Sequence, residues 1–410
     1  MNRCDVLIAI WDGDQTATAN ARIVAAVKHA ETLRRPLITI PTIAPHGEHT
    51  ERGGGIDATP LAGIEKFNAL PVSRQQQDAA AGDTFREIFR AAGCSKDEEL
   101  RETTEVAEAA KRLIQERLLP FLVRAERMAS SNQHWYLNAG RSAYVLAPVT
   151  VAAVTIATLF PNRAVWGFGV EWVLLVGILT VVVLTDYWGV RRKWIESRFL
   201  AEQLRAAVFL TAAGAPVSRV RALPHTASES RAHEWMLWAF DEIRGRIGPL
   251  EPCWGRPYRE VQAFIDRAWI QDQITYHKDK RKHAKLRNQV LEYAGFGVFL
   301  SAVIAAGWHF VLALPPVTVH GVEHQALTFV ALVFPALGAS IGGLRAHREY
   351  SRIAKRSDSM VKELTALQRE SEEVDSRAAL EQFLAETEAL MLREAKEWLS
   401  LMSTVRLHAH

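Results

Sequence analysis

Four uncharged stretches constrain this chain more than any other feature. Ala143–Phe160 holds no charged residue over 18 positions, and Trp172–Thr185 holds none between Glu171 and Asp186. Tyr293–Leu314 carries a single histidine, His309, and Ala326–Leu344 carries no ionisable group. A bilayer is crossed by about 20 mostly apolar helical residues. Helices on the core of a soluble protein keep a polar face, whereas these stretches are apolar all round. They predict four spans, near 143–160, 171–188, 291–314 and 326–344. The chain average conceals them, because 23% of residues are charged and lie elsewhere.

Charge then pairs and orients the spans. The connection Pro161–Val170 has one basic residue, Arg163, and Pro315–Gln325 has none. The outer flanks are crowded: Arg124, Arg127 and Arg141 before the first span, Arg191, Arg192, Lys193 and Arg198 after the second. The run His277–Arg287 precedes the third, and Arg345, Arg348, Arg352, Lys355 and Arg356 follow the fourth. Basic flanks stay cytoplasmic, so two hairpins are expected, with both termini and the middle segment inside. Trp166, Trp172, Trp188 and Trp194 bracket the second span as an aromatic belt does. In the basic run, Lys278, Lys280, Arg281, Lys282, Lys285 and Arg287 are expected at anionic lipid headgroups, each contributing about 1 kcal/mol. A net charge of +3 does not argue for nucleic acid. Three scattered cysteines, Cys4, Cys94 and Cys253, fit a reducing compartment. The apolar run Val6–Trp11 is too short for a secretory leader, so insertion is expected to use the first span.

The amino-terminal residues read differently. CDVLIAIWDGDQ is a β-rich run ending at the turn pair Asp12–Gly13. A helical pattern follows from about Thr18 to Leu33, with Ala21, Val24, Ala25 and Lys28 at helical spacing, and then the strand LITIP. Strand, helix and strand predict one βαβ unit with parallel pairing, whose ligand position lies at the carboxyl end of the first strand. DVLIAIWDG, a polar loop, a helix and RPLITI resemble the closing half of the SLOG-like Rossmann sensors, over about the first 40 residues. The resemblance implies a nucleotide or nucleotide-derived signal held by Trp11, Asp12, Gly13, Thr16, Thr18 and Asn20. The family loop is glycine-rich where this one reads DQTATAN, so fewer backbone N–H groups can approach a phosphate closely. Asp12–Gly13 as a simple turn stays open. A lone βαβ unit buries little surface, so a missing or eroded first half is expected. This partial unit covers 1–45 and a linker with cytoplasmic helices covers 46–117: a loop across Pro41–Pro60, a short helix near Leu61–Leu70, and helices from about Thr84 into the first span.

Beyond each hairpin a basic amphipathic helix emerges, RRKWIESRFLAEQLRAAVFLTAAG and RAHREYSRIAKRSDSMVKELTALQ. WIQDQITYHKDKRKHAKLRNQVLEYAG runs without a breaker into the third span. Helix, hairpin and helix thus occur twice, a pattern of distant internal duplication, divided here as 118–290 and 291–410. RAERMA, RFLAEQLR, WIQDQITYH and EALMLREAKEW resemble the SLATT-like membrane effectors across roughly residues 118–402. The fold class expected is mainly α, a four-span membrane protein with long cytoplasmic helices. The resemblance implies a homo-oligomeric effector of a nucleotide-signalled antiphage system, which permeabilises the bacterial inner membrane when a partner protein makes the signal. A ligand-independent channel or scaffold is the alternative. The acidic segment Val361–Met402 is expected to pack on the basic helices through Glu363, Glu370, Glu372 and Glu373, or to form an oligomerising coiled coil.

Other motifs fail on context. Gly338–Ala339–Ser340–Ile341–Gly342 matches a hydrolase elbow, which needs a strand and a sharp turn, yet it lies inside a span. As G-x-x-x-G, Gly338 and Gly342 permit close helix approach in lipid. His320, Glu323 and His324, like His46 and His49, make too few ligands for a closed zinc site. Without a phosphate loop, a C-x-x-C pair or an acid–base constellation, neither catalysis nor a cofactor is expected. Carriers bury ionisable groups at mid-bilayer, whereas Glu171, Asp186, Glu292 and His309 lie toward span ends. A pore built from several copies would draw its lining from Thr150, Thr155, Thr180, Ser301 and Ser340.

Overall fold

A computed structural model describes residues 7–11, 21–32, 37–41, 50–52, 59–70, 75, 79, 82, 104–218, 234–250, 252–312 and 321–405. They divide into two compact units, Met1–Glu65 and Lys66–His410.

In the first unit β1 (Leu7–Trp11) pairs in parallel with β2 (Leu37–Pro41), and α1 (Ala21–Thr32) lies between them in sequence. Ala9, Val27 and Leu37 form the core, with Ile23 and Val24 packed against it. The buried stripe of α1 therefore runs Ile23, Val27 and Ala30, while Ala25 and Lys28 are exposed. Helical spacing alone groups these residues on either face; the larger apolar side chains decide which face turns inward. Contrary to the expected loop between Pro41 and Pro60, a short β3 (Thr50–Arg52) pairs antiparallel with β2. Three residues between turn formers show too little alternation to read as a strand. The unit consequently extends past residue 45, into α2 (Thr59–Asn68), which straddles the division.

Among its described residues the second unit is helical wherever it has regular structure. It holds α3 (Thr104–Arg117), α4 (Leu119–Leu159), α5 (Ala164–Tyr187), α6 (Val190–Ala213) and α7 (Glu234–Gly245). Then come α8 (Tyr258–Ile265), a π turn over Asp266–Gln271, and α9 (Asp272–Leu312). α10 (Val322–Arg348), α11 (Tyr350–Ser371) and α12 (Arg377–Val405) complete it. Among the described residues, four helical segments are long and apolar enough to cross a membrane: Leu119–Leu159, Pro161–Tyr187, Tyr258–Leu312 and Glu323–Ser371. The mainly α, multi-pass reading of the sequence therefore stands.

The two hairpins share a layout. α4 and α9 each run 41 residues, about 60 Å at 1.5 Å per residue. That is twice the apolar thickness of a bilayer, so each helix is half span and half stem. α5 and α10 lead back, and each ends at a left-handed residue, Gly189 (φ 57°) and Glu349 (φ 51°). From there α6 packs along α4, and α11 along α9. Two three-helix modules result, α4–α5–α6 and α9–α10–α11, joined mainly by α4 against α10. The second module thus begins with the stem at Asp272 rather than at residue 291, because QVLEYAG contains nothing to interrupt the helix.

Two connections also differ from expectation. The first hairpin turns in only three residues, Pro161–Arg163, and the expected loop through Val170 is already helix in α5. Its sequence AVWGFGV is apolar, and glycine is tolerated in membrane helices. The acidic tail is two helices, since 372–376 interrupts it and Ser376 Oγ accepts the Ala379 N–H at 3.2 Å. It folds onto its own chain, α12 packing on α6, but not through the expected carboxylates: Glu363 pairs with Arg393 inside the same segment, and the bond to a stem is that of Asp358, just before it, to Arg281 at 2.6 Å. Glu370, Glu372 and Glu373 remain exposed.

Candidate functional site

Because α6 and α11 fold back beneath the spans, the stems enclose a chamber of about 620 Å³ at the basic ends of the membrane helices. α4, α6, the π turn, α9, the α10–α11 joint and α12 all contribute to its wall. Eight lysines and arginines line it (Arg191, Arg198, Arg205, Lys280, Arg287, Arg348, Arg352, Arg356) against four carboxylates (Glu126, Glu202, Asp272, Glu349). Most of the carboxylate is already engaged. Arg205 donates to Glu202 at 2.6 Å and to Glu126. Burial alone would lower the Arg205 pKa, but these two carboxylates hold it above the ordinary arginine value. Glu349 Oε1 accepts from Arg352 at 2.9 Å. Arg348 Nη2 donates at 3.5 Å to the Leu137 carbonyl, and Arg191 and Arg287 make no ion pair among the described residues.

Aromatic rings complete the wall. Phe209 and Trp269 stack at 4.9 Å with 8° between their planes. Tyr136 lies 5.9 Å from Trp194 and 4.9 Å from His347. Trp269 sits on the π turn, whose extra residue per turn re-aims the side chains of an otherwise regular helix. Trp194 therefore belongs to the chamber, while Trp166 and Trp172 are exposed on α5 and Trp188 is exposed just beyond its end, as a lipid-facing belt would be.

The residues singled out from sequence fall in several places. Trp11 closes β1, while Asp12, Gly13, Thr16, Thr18 and Asn20 lie outside the described residues, as do His46, His49 and His320. Of the basic run, Lys280 and Arg287 line the chamber, and Lys280 Nζ lies 5.1 Å from the Tyr276 ring centroid. Arg281 is engaged by Asp358, and Lys278, Lys282 and Lys285 are exposed. A Cβ on Gly338 would sit 3.7 Å from the Gly295 carbonyl on α9, whereas one on Gly342 would meet nothing. The G-x-x-x-G pair is thus half used, for intrachain packing, and Ser340 is buried in a helix without the strand an elbow needs.

The hydroxyl side chains do not share one face. Thr150, Thr155 and Ser340 are buried, Thr180 and Ser301 are exposed. Thr150, Thr155, Thr180 and Ser301 each donate to a carbonyl four residues back in their own helix. Such bonds satisfy a hydroxyl inside an apolar span. The second hairpin is fastened at both ends, by Arg345 to Glu292 at 3.0 Å and by His309 Nε2 to His324 Nδ1 at 3.1 Å. Glu292 and His309 lie about 26 Å apart along α9, close to one apolar bilayer thickness. No group of three metal-ligating side chains occurs among the described residues.

Fold and chamber together define a multi-pass helical membrane protein with a cationic, aromatic recess at the roots of its spans. Comparison with family models, curated proteins and solved structures returned no match.

Proposed function

We propose that the chain is a membrane effector of a nucleotide-signalled conflict system, which permeabilises a bacterial inner membrane when triggered. The observation carrying this reading is the state of α5. Not one of its side chains is buried, and it packs chiefly on α4. Val165, Trp166, Trp172, Val173 and Leu179 are all more than 60% exposed. A span held by a single neighbour has a large apolar face for lipid or for another copy of the chain. A lateral move of α5 would open the bundle without breaking a core. The parallel β1–β2 pair supports a role for the first unit as a partial SLOG-like sensor, and the paired modules support the SLATT-like reading of the rest.

In this reading the stems and both termini face the cytoplasm. Lys278 then lies 15 residues before Tyr293 on α9, about 22 Å below the span. Headgroups occupy only about 5–8 Å on each side of the apolar layer. Lys285, about 12 Å away, reaches lipid phosphates by extending along the helix, whereas Arg287 lines the chamber. Lys278, Lys280, Arg281 and Lys282 lie too deep in the cytoplasm to do so.

The test is reconstitution into dye-loaded vesicles with a panel of nucleotides and cyclic nucleotides. Release that begins only on adding a ligand is expected. Steady release without ligand favours the ligand-independent channel, and no release under any condition removes the effector reading.

A further inference from the structure

We propose that the chamber is a binding site for a small phosphate-bearing ligand, gripped by Arg191, Arg287 and Arg348 and flanked by Tyr136 and Trp194. Charge is the first argument. Glu126 and Glu202 are engaged by Arg205, and Glu349 by Arg352. Among the described residues Arg191 and Arg287 make no ion pair, and Arg348 has only its bond to the Leu137 carbonyl. Three guanidinium groups therefore line one partly open recess, Arg287 from an exposed position, with no carboxylate bound to them among the described residues. Each presents a planar fork of donors that matches a phosphate bidentately.

Size and composition are the second argument. At about 620 Å³ the chamber falls within the range of small-molecule sites, roughly 300–1,000 Å³. Aromatic rings beside arginines suit a ligand with a flat, polarisable part next to its phosphate. Position is the third. Arg191 follows the left-handed Gly189 by two residues, and Arg348 immediately precedes the left-handed Glu349. A phosphate drawing these two arginines together would tie both joints between span and stem. The site does not depend on the membrane-permeabilising reading, because binding is measured apart from leakage.

A soluble nucleotide and a phospholipid headgroup share this chemistry, so the experiment separates them. The full chain, purified in uncharged detergent, is titrated calorimetrically with ATP, with inorganic phosphate and with short-chain phosphatidylglycerol, using phosphatidylcholine as the zwitterionic control. Binding of ATP or phosphatidylglycerol is expected, weakened at least tenfold by the paired substitutions Arg191→Gln and Arg287→Gln. The pair Lys278→Gln and Lys282→Gln, on exposed positions of the same helix outside the chamber, should leave it unchanged. ATP binding more tightly than phosphate assigns the site to a soluble nucleotide; binding of phosphatidylglycerol alone assigns it to lipid. No binding of any of the three anions, or equal weakening by both pairs, overturns the proposal. If the arginine variant does not fold, the salt dependence of the unmodified chain decides, since ATP affinity that is flat with ionic strength excludes a guanidinium site.

Discussion

Gly189 and Glu349 occupy equivalent joints, yet their backbone conformation costs them different amounts. A left-handed residue with a Cβ loses roughly 1–2 kcal/mol relative to glycine. At Gly189 a Cβ would meet only the Arg192 side chain, at 3.8 Å, so space is not the obstacle. Gly189→Ala is therefore expected to destabilise by about 1 kcal/mol through conformation alone. Gly342 gives the opposite sign: it lies inside α10 with open space around it, and Gly342→Ala should stabilise by about 0.5–1 kcal/mol. Glu349 already bears the strain. Asparagine tolerates this conformation, and the Glu349–Arg352 pair it would give up, with Glu349 half-buried and Arg352 exposed, contributes only about 0.3–0.5 kcal/mol. Glu349→Asn should then be neutral or slightly stabilising. Thermal midpoints of the detergent-solubilised variants check all three signs, and a Gly189→Ala midpoint at or above that of the unmodified chain would contradict the account of the joint.

Between elements, the contact that unites the two modules is α4 against α10, and glycines make it possible. A Cβ on Gly343 would overlap the Tyr144 ring, and one on Gly140 would overlap His347. Forcing methyl groups into such a contact costs about 1–3 kcal/mol. Gly343→Val should lower the unfolding free energy measured by denaturant in micelles by that amount, while Gly297→Val, with nothing within 4 Å, should be tolerated. Equal effects of the two would mean that α10 does not press on α4 as described. None of these partners was legible in the sequence. G-x-x-x-G drew attention to Gly338 and Gly342, but Gly140 and Gly343 are 203 residues apart, and spacing carries no information about which helices meet. What did read through was whatever periodicity and charge determine locally: the apolar stretches, the paired stems and the parallel β1–β2 pair. The chamber escaped because its arginines looked like ordinary membrane flanks and Trp194 like part of a belt. Their convergence comes from the reversals at Gly189 and Glu349, and a glutamate in the left-handed region gives no sequence signal.

For the whole molecule, orientation is the property with the largest electrostatic consequence. The stems carry the chamber's eight basic side chains, whereas the turn at Pro161–Arg163 carries one. With an inside-negative potential, moving a cation outward costs about 2.3 kcal/mol per 100 mV. Even offset by the four carboxylates of the chamber, this charge favours the proposed orientation, with the stems on the negative side. Single cysteines report this directly once Cys4, Cys94 and Cys253 are replaced by serine or alanine. Arg163→Cys and Lys282→Cys are both at exposed positions, so accessibility of the thiol itself does not differ between them. In intact cells stripped of outer barriers, a membrane-impermeant maleimide should label Arg163→Cys at once and Lys282→Cys only after lysis. The reverse pattern would invert the protein and place the chamber outside, where a cytoplasmic nucleotide could not reach it. Labelling of both positions before lysis would mean that the first hairpin does not cross the membrane at all, and the two stems would then have no bilayer to hold them on one side.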